Sequence, residues 1–162
     1  MIKLAKSAGF CFGVSRSVDM AEKLLAEGPC KSLGPLIHNE DVVRRLADMG
    51  LTVVSGPEQV EAGDRVIIRS HGVSMAVEEA LRSAGAEVHD ATCPNVARIH
   101  RIVREASVRG RQVLVIGTAG HPEVQAICGR CEKAVVVSGQ EELEAWISQN
   151  VENCTKELTV VV

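Results

Sequence analysis

Five loops in this chain carry a cysteine or histidine, and each follows a short apolar stretch and precedes an amphipathic helix. They hold Cys11, His38, His71, Cys93 and the pair His121 and Glu123. Such a repeated order of strand, loop and helix favours an α/β fold with parallel strands, because parallel neighbours need a crossover and helices supply it. The run Val66-Ile67-Ile68 is apolar without alternation, as a strand covered on both faces requires. Further strands are expected at Ile2 to Ala5, Lys31 to Ile37, Thr52 to Val54, Glu87 to Asp90, Gln112 to Gly117, Ala134 to Val137 and Leu158 to Val162. Helical stripes run through Val14, Val18, Ala21, Leu24 and Leu25, then Val42, Val43, Leu46 and Met49, and again Val77, Ala80, Leu81 and Ala84. A fourth stripe presents Val96, Ile99, Val103 and Ala106, with Arg98, Arg101 and Arg109 on the opposite, solvated side. Dividing the chain near Cys93 leaves two halves too short for a large sheet, so two small α/β units are expected.

The stretch Asp90-Ala91-Thr92-Cys93-Pro94 is the most informative of the five loops. Proline is tolerated in a first helical turn, where the amide it lacks would have no partner. Cys93 therefore stands at or just before a helix start, where free amides and the helix dipole favour a thiolate. Cys11 also precedes a helix, within Gly9-Phe10-Cys11-Phe12-Gly13-Val14. Asn39 is positioned to cap the helix after His38, with Glu40 and Asp41 in its first turn.

Loops at the carboxyl ends of parallel strands line the ligand site of α/β proteins. Two thiols, three imidazoles and one carboxylate are thus expected to converge. Imidazolium groups beside helix starts suit a phosphate anion, and Glu123 is the carboxylate placed for proton transfer. Thiolates from separate loops suit zinc or an iron–sulfur cluster, although two alone complete neither. His89 and His100 fall on a strand and inside a helix and receive no role. A net charge of −3, with one Trp, two Phe and no Tyr, argues against a nucleic-acid partner. No apolar run approaches the ~20 residues needed to span a bilayer, and the amino-terminal residues lack a signal-peptide core. A cytoplasmic protein is expected, and its six cysteines point to metal or redox chemistry before disulfides.

Gly9 to Val14, Ile37-His38-Asn39, Ser70-His71-Gly72-Val73-Ser74, Asp90 to Pro94 and Gly120-His121-Pro122-Glu123-Val124 occur in this order at fitting distances. Together they resemble the 4-hydroxy-3-methylbut-2-enyl diphosphate reductase family, iron–sulfur enzymes of the non-mevalonate isoprenoid pathway. The resemblance covers essentially the whole chain, yet the family's proteins are about twice as long. It implies the N-terminal half of a three-lobed, trefoil-like arrangement of α/β domains, with the third lobe absent. It further implies that residues 1–11 belong with that third domain, that 12–93 form the first domain and that 94–162 form the second.

By the same resemblance, Cys11 and Cys93 are two of three cysteine ligands to a [4Fe–4S] cluster, the third lying beyond residue 162. His38 and His71 match residues binding the diphosphate, and His121 matches one near the substrate's hydroxyl. Glu123 matches the acid that delivers protons, while Val14 and Val96 match positions near the cluster and the hydrocarbon. The implied reaction is reductive dehydroxylation to isopentenyl and dimethylallyl diphosphate, fed by a ferredoxin- or flavodoxin-type electron donor. The alternative is a catalytically inactive phosphate- or metal-binding α/β module. The chain stops inside the apolar run Leu158 to Val162, so truncation is expected. Cys128-Gly129-Arg130-Cys131 is a single C-x-x-C, open to a redox or half-zinc reading but without a second pair; Cys30 and Cys154 are read as structural or incidental.

Overall fold

A computed structural model describes residues 2, 3, 5, 8–150 and 157–162. The chain runs α1 (Phe12–Glu27), β1 (Cys30–Leu33), α2 (Glu40–Asp48), β2 (Leu51–Val54), β3 (Arg65–Ile68), α3 (Met75–Ser83) and β4 (Glu87–Asp90). It continues through α4 (Pro94–Val108), β5 (Gln112–Ile116), α5 (Pro122–Cys128), β6 (Ala134–Val137), α6 (Gln140–Gln149) and β7 (Leu158–Val161). A short 3₁₀ turn, Pro57–Gln59, precedes β3.

The strands form two wholly parallel sheets, in the orders β2-β1-β3-β4 and β6-β5-β7. In the first sheet the chain leaves β1 to one side and builds β3 and β4 on the other. The loops after β1 and β3 therefore flank a switch point, where a crevice opens at the carboxyl edge of a parallel sheet. In the second sheet β5 has the same central position, with β6 and β7 on its two sides.

Why β3 reads as continuously apolar is plain from its two faces. Ile67 points into a core with Val18, Ala21 and Leu25 of α1 and with Val42 and Leu46 of α2. Val66 and Ile68 point the other way, against Leu33, Val54 and Leu81. A third core joins Val103 and Ala106 of α4 to Val113 and Val115 of β5, Val124 and Ile127 of α5, and Val161. So α4, although it starts at the edge of the first sheet, buries its apolar face on the second.

The expected elements from residue 12 onward form, with two local differences. The strand expected over Lys31 to Ile37 ends at Leu33, since Gly34 adopts φ +69° and turns the chain out of the sheet. Met49, expected on the buried stripe, is exposed because α2 ends at Asp48. Along α4, Ile99 packs half-buried against the third core as expected, and the neighbouring His100 is buried as well. The expected strand Ile2 to Ala5 includes Leu4, outside the described residues; Ile2, Lys3 and Ala5 are exposed and form no strand. Cys154 also lies outside the described residues.

The two sheets are joined where α5 ends against the start of α3. The Gly129 carbonyl accepts from the Met75 amide at 3.2 Å. Arg130 Nη2 donates to the Val73 carbonyl and to Glu78 Oε1, each at 2.5 Å. A Cβ at Gly129 would overlap Ser74, so glycine permits this approach. Gly129→Ala should destabilise the chain by about 1–3 kcal/mol through overpacking, measured as a lower urea midpoint. An unchanged midpoint would mean the joint gives way freely.

Candidate functional site

Three imidazoles from three loops meet above the carboxyl ends of β1, β3 and β5. His38 and His71 have ring centroids 4.8 Å apart, His71 and His121 5.8 Å, and His38 and His121 6.3 Å. Each ring is delivered by a short, well-anchored turn. Asn39 caps α2, its side chain accepting from the Val42 amide at 3.0 Å, which holds His38 at the rim. Ser74 caps α3 by accepting from Val77 N at 3.3 Å, three residues beyond His71. His121 caps α5 itself: Nδ1 accepts from the Glu123 amide at 3.2 Å. A neutral His121 thereby carries its proton on Nε2, leaving that N–H free as a donor.

His38 and His121 are exposed, whereas His71 is half-buried with its Nδ1 unpartnered. Burial pushes the His71 pKa down to about 4, and the neighbouring His38, Arg69 and His121 act in the same direction. This corrects the expectation of imidazolium at that position. At neutral pH His71 contributes a donor and an acceptor, not a charge.

The thiols lie alongside. Cys93 is the N-cap of α4 and Cys11 the N-cap of α1, and neither sulfur makes a capping bond. The Cys93 amide donates to the Ser70 carbonyl at 2.9 Å, so this loop is tied one residue from His71. From the other side α1 grips the same loop: Arg16 donates to Thr92 O at 3.2 Å and Ser17 Oγ to Ala91 O at 3.3 Å. A Cβ on Gly13 would stand 2.5 Å from Cys93 Sγ. Gly13 thus leaves a cradle for that sulfur in the first turn of the helix that Cys11 caps. Thiols from two helix starts, one of them seated against Gly13, fit part of the ligand set of an iron–sulfur cluster. Among the described residues, however, no three His, Cys, Asp or Glu side chains are arranged to hold a metal ion. Val14 is half-buried beside the first core, and Val96 is 8% exposed one turn beyond Cys93.

Sequence reasoning passed over His100. It is 6% exposed, and its Cε1 would lie 2.5 Å from a Cβ on Gly72, which adopts φ +71°. His100 therefore packs directly against the backbone beside His71, reaching it from the helix that Cys93 begins. Burial, reinforced by Arg130, lowers its pKa to about 4. Arg69, directly after β3, is a second residue that sequence pattern does not single out. A buried polar residue on an otherwise apolar helical stripe was the available signal for His100.

Cys128 and Cys131 pack against the third apolar core, and burial raises both thiol pKa values. Their C-x-x-C belongs to the joint between the sheets, through Gly129 and Arg130. All five described cysteines are free thiols.

The LytB protein family matches residues 2–162 of this sequence. The chain belongs to the LytB protein family. A 4-hydroxy-3-methylbut-2-enyl diphosphate reductase of Geobacter metallireducens is 48% identical over 143 residues, which cover 87% of this chain and 50% of that protein. The enzyme of the same name from Aquifex aeolicus is 44% identical over 148 residues, 88% of this chain and 51% of the relative. A solved (E)-4-hydroxy-3-methyl-but-2-enyl diphosphate reductase, described as the terminal enzyme of the non-mevalonate pathway, superimposes with TM-score 0.79. It is 37% identical, covering 99% of this chain and 66% of that one. The Plasmodium falciparum E-1-hydroxy-2-methyl-but-2-enyl-4-diphosphate reductase shares the fold at TM-score 0.83 and 24% identity. The chain spans about half the length of the curated relatives it matches. Among the described residues no helix is long and apolar enough to cross a membrane.

Two expectations follow from this geometry. Gly72→Ala combines a strained positive φ with a collision against His100, and should cost about 1–3 kcal/mol in thermal or chemical unfolding. It should also separate His71 from the other two rings. Acid should destabilise the chain through His71 and His100, whose native pKa of about 4 lies below the ordinary 6.5. Between those values the unfolded chain binds more protons than the native one, so stability rises with pH across that window. A melting temperature that does not fall from pH 7 to pH 4.5 would contradict this.

Proposed function

We propose that this chain supplies the diphosphate-binding and part of the cluster-binding apparatus of a 4-hydroxy-3-methylbut-2-enyl diphosphate reductase. The observation that carries it is the convergence of His38, His71 and His121, one backbone hydrogen bond away from Cys93. An anion-binding end and a thiolate end are thus held side by side by the same pair of loops. Its likeness to named reductases supplies the substrate class, an allylic alcohol bearing a diphosphate.

The overall change replaces a C–OH by a C–H, taking up two electrons and two protons and releasing water. His38 and His71 would bind and orient the diphosphate, and the free Nε2–H of His121 would donate a hydrogen bond. Glu123, two residues from His121 at the start of α5, would hold the proton that leaves with the hydroxyl. Cys11 and Cys93, with a further thiolate, would hold a [4Fe–4S] cluster. When bound, that cluster supplies single electrons and a Lewis-acidic iron. Val14 and Val96 would border the hydrocarbon. An external ferredoxin- or flavodoxin-type protein would feed the electrons, and the free thiols suit work in a reducing cytoplasm.

Binding of inorganic diphosphate by calorimetry tests the anion end. His38→Asn and His71→Asn should each weaken it about tenfold or more. Unchanged affinity in both variants would remove the diphosphate reading. Anaerobic reconstitution with iron and sulfide tests the other end: Cys93→Ser should lose most of the retained iron, and equal iron content would deny it a ligand role. In a protein that turns over, Glu123→Gln should lower kcat far more than it raises KM; equal changes would make it a binding residue. A chain that binds diphosphate but retains no iron and shows no turnover is instead the inactive module.

A further inference from the structure

Arg69 is a half-buried cation that the reaction scheme above leaves unused. It follows directly on β3, two residues before His71. Its guanidinium lies against Gly34, where a Cβ would come within 2.6 Å of Nη1. Gly34 opens the loop that carries His38, so the guanidinium sits beneath that loop and beside the one that carries His71. Its Nε is buried without a hydrogen-bond partner. None of the ion pairs among the described residues includes Arg69. The cavity it borders, about 170 Å³ between the two units, is otherwise lined by Gly72, Val73, Ser74, Val77 and the α5 residues Pro122, Gln125 and Ala126, none of them ionisable.

A guanidinium partly withdrawn from water without a counter-charge is costly, and it remains protonated because its intrinsic basicity is so high. For Arg69 that cost is borne close to His71, one of three imidazoles that face one another. Those rings offer donors, but the most buried of them, His71, is uncharged at neutral pH. A diphosphate carries several negative charges, and a neutral His71 balances none of them.

We propose that Arg69 is the permanent cation of the anion end, a positioning residue that holds a diphosphate group over His38, His71 and His121 from beneath the Gly34 loop. The proposal rests on the diphosphate reading of the three-histidine cluster and adds to it the source of fixed charge. It also gives Gly34 a role, since any side chain there would displace the guanidinium.

Calorimetric binding of inorganic diphosphate at pH 8 and pH 6, with melting temperatures of the free proteins, tests it in three variants. Arg69→Met should weaken binding about 10- to 100-fold at pH 8, as loss of a charge-assisted contact would. The loss should shrink at pH 6, where the bound anion draws a proton onto His71 in place of the missing charge. His71 is the ring to watch, and the groups facing it are His38, His121 and Arg69. Arg69→Lys should recover part of the affinity at pH 8, and the salt dependence of binding should be shallower for Arg69→Met than for the unmodified chain. Free Arg69→Met should melt no lower than the unmodified chain, because an unpaired half-buried charge has been removed.

Affinity for Arg69→Met within twofold of the unmodified chain at pH 8 overturns the proposal. So does a lowered melting temperature with equal loss in Arg69→Lys, which marks a packing role. If His38→Asn abolishes binding while Arg69→Met does not, only the role of Arg69 fails. If the unmodified chain binds no diphosphate, both readings fail together.

Discussion

The parallel hydrogen-bond ladder between β3 and β4 continues past the ends of both strands, and the site depends on that continuation. Ala91 N donates to Ile68 O at 3.0 Å, and Cys93 N donates to Ser70 O at 2.9 Å. Two loops that would otherwise diverge are kept in register for three more residues. One then presents an imidazole, the other a thiol. Backbone hydrogen bonds in this position resist the loss of order that surface loops ordinarily show. The spacing between the two chemistries is accordingly set by strand pairing, the stiffest connection the fold offers.

The second unit contributes more than its own histidine. Helix α4 starts at Cys93 on the edge of the first sheet, then buries Val103 and Ala106 on the second. Midway along it, His100 presses on Gly72, and from beyond α5 Arg130 holds Val73 and Glu78. The segment after His71 is therefore held from the second unit on two sides. Partly buried, hydrogen-bonded charge pairs such as Arg130 with Glu78 add geometric definition more surely than net stability. That is what a site assembled from two units requires. His121 can meet His38 and His71 because the joint, not any one loop, sets the distance between the sheets.

Charge is distributed unevenly over this arrangement. Burial, with the neighbouring rings and Arg69 adding to it, keeps His71 neutral, so three clustered rings cannot act as three cations. Burial makes the guanidinium of Arg69 less basic, yet its intrinsic basicity keeps it charged at neutral pH. Hydrogen-bond donors with a defined direction, backed by one fixed cation, are a selective way to hold an anion with several oxygens.

Much of this was legible in the sequence because it depends on local pattern. The apolar run Val66 to Ile68, the cap at Asn39, Pro94 after Cys93 and the glycine stops determined the α/β alternation and put reactive residues on strand-end loops. A parallel sheet then obliges the loops of His38 and His71 to share one edge, whereas His121, carried by the second sheet, reaches them only through the joint between the two units. Met49 and the shortened first strand escaped because helix ends and strand ends respond to neighbours a few residues away. Tertiary structure alone decided the protonation of His71, the contact of His100 with Gly72, the conversion of a C-x-x-C into a joint, and the isolation of Arg69. Each of these depends on which distant side chains exclude water from a group or stand beside it, and spacing along the chain carries no record of that.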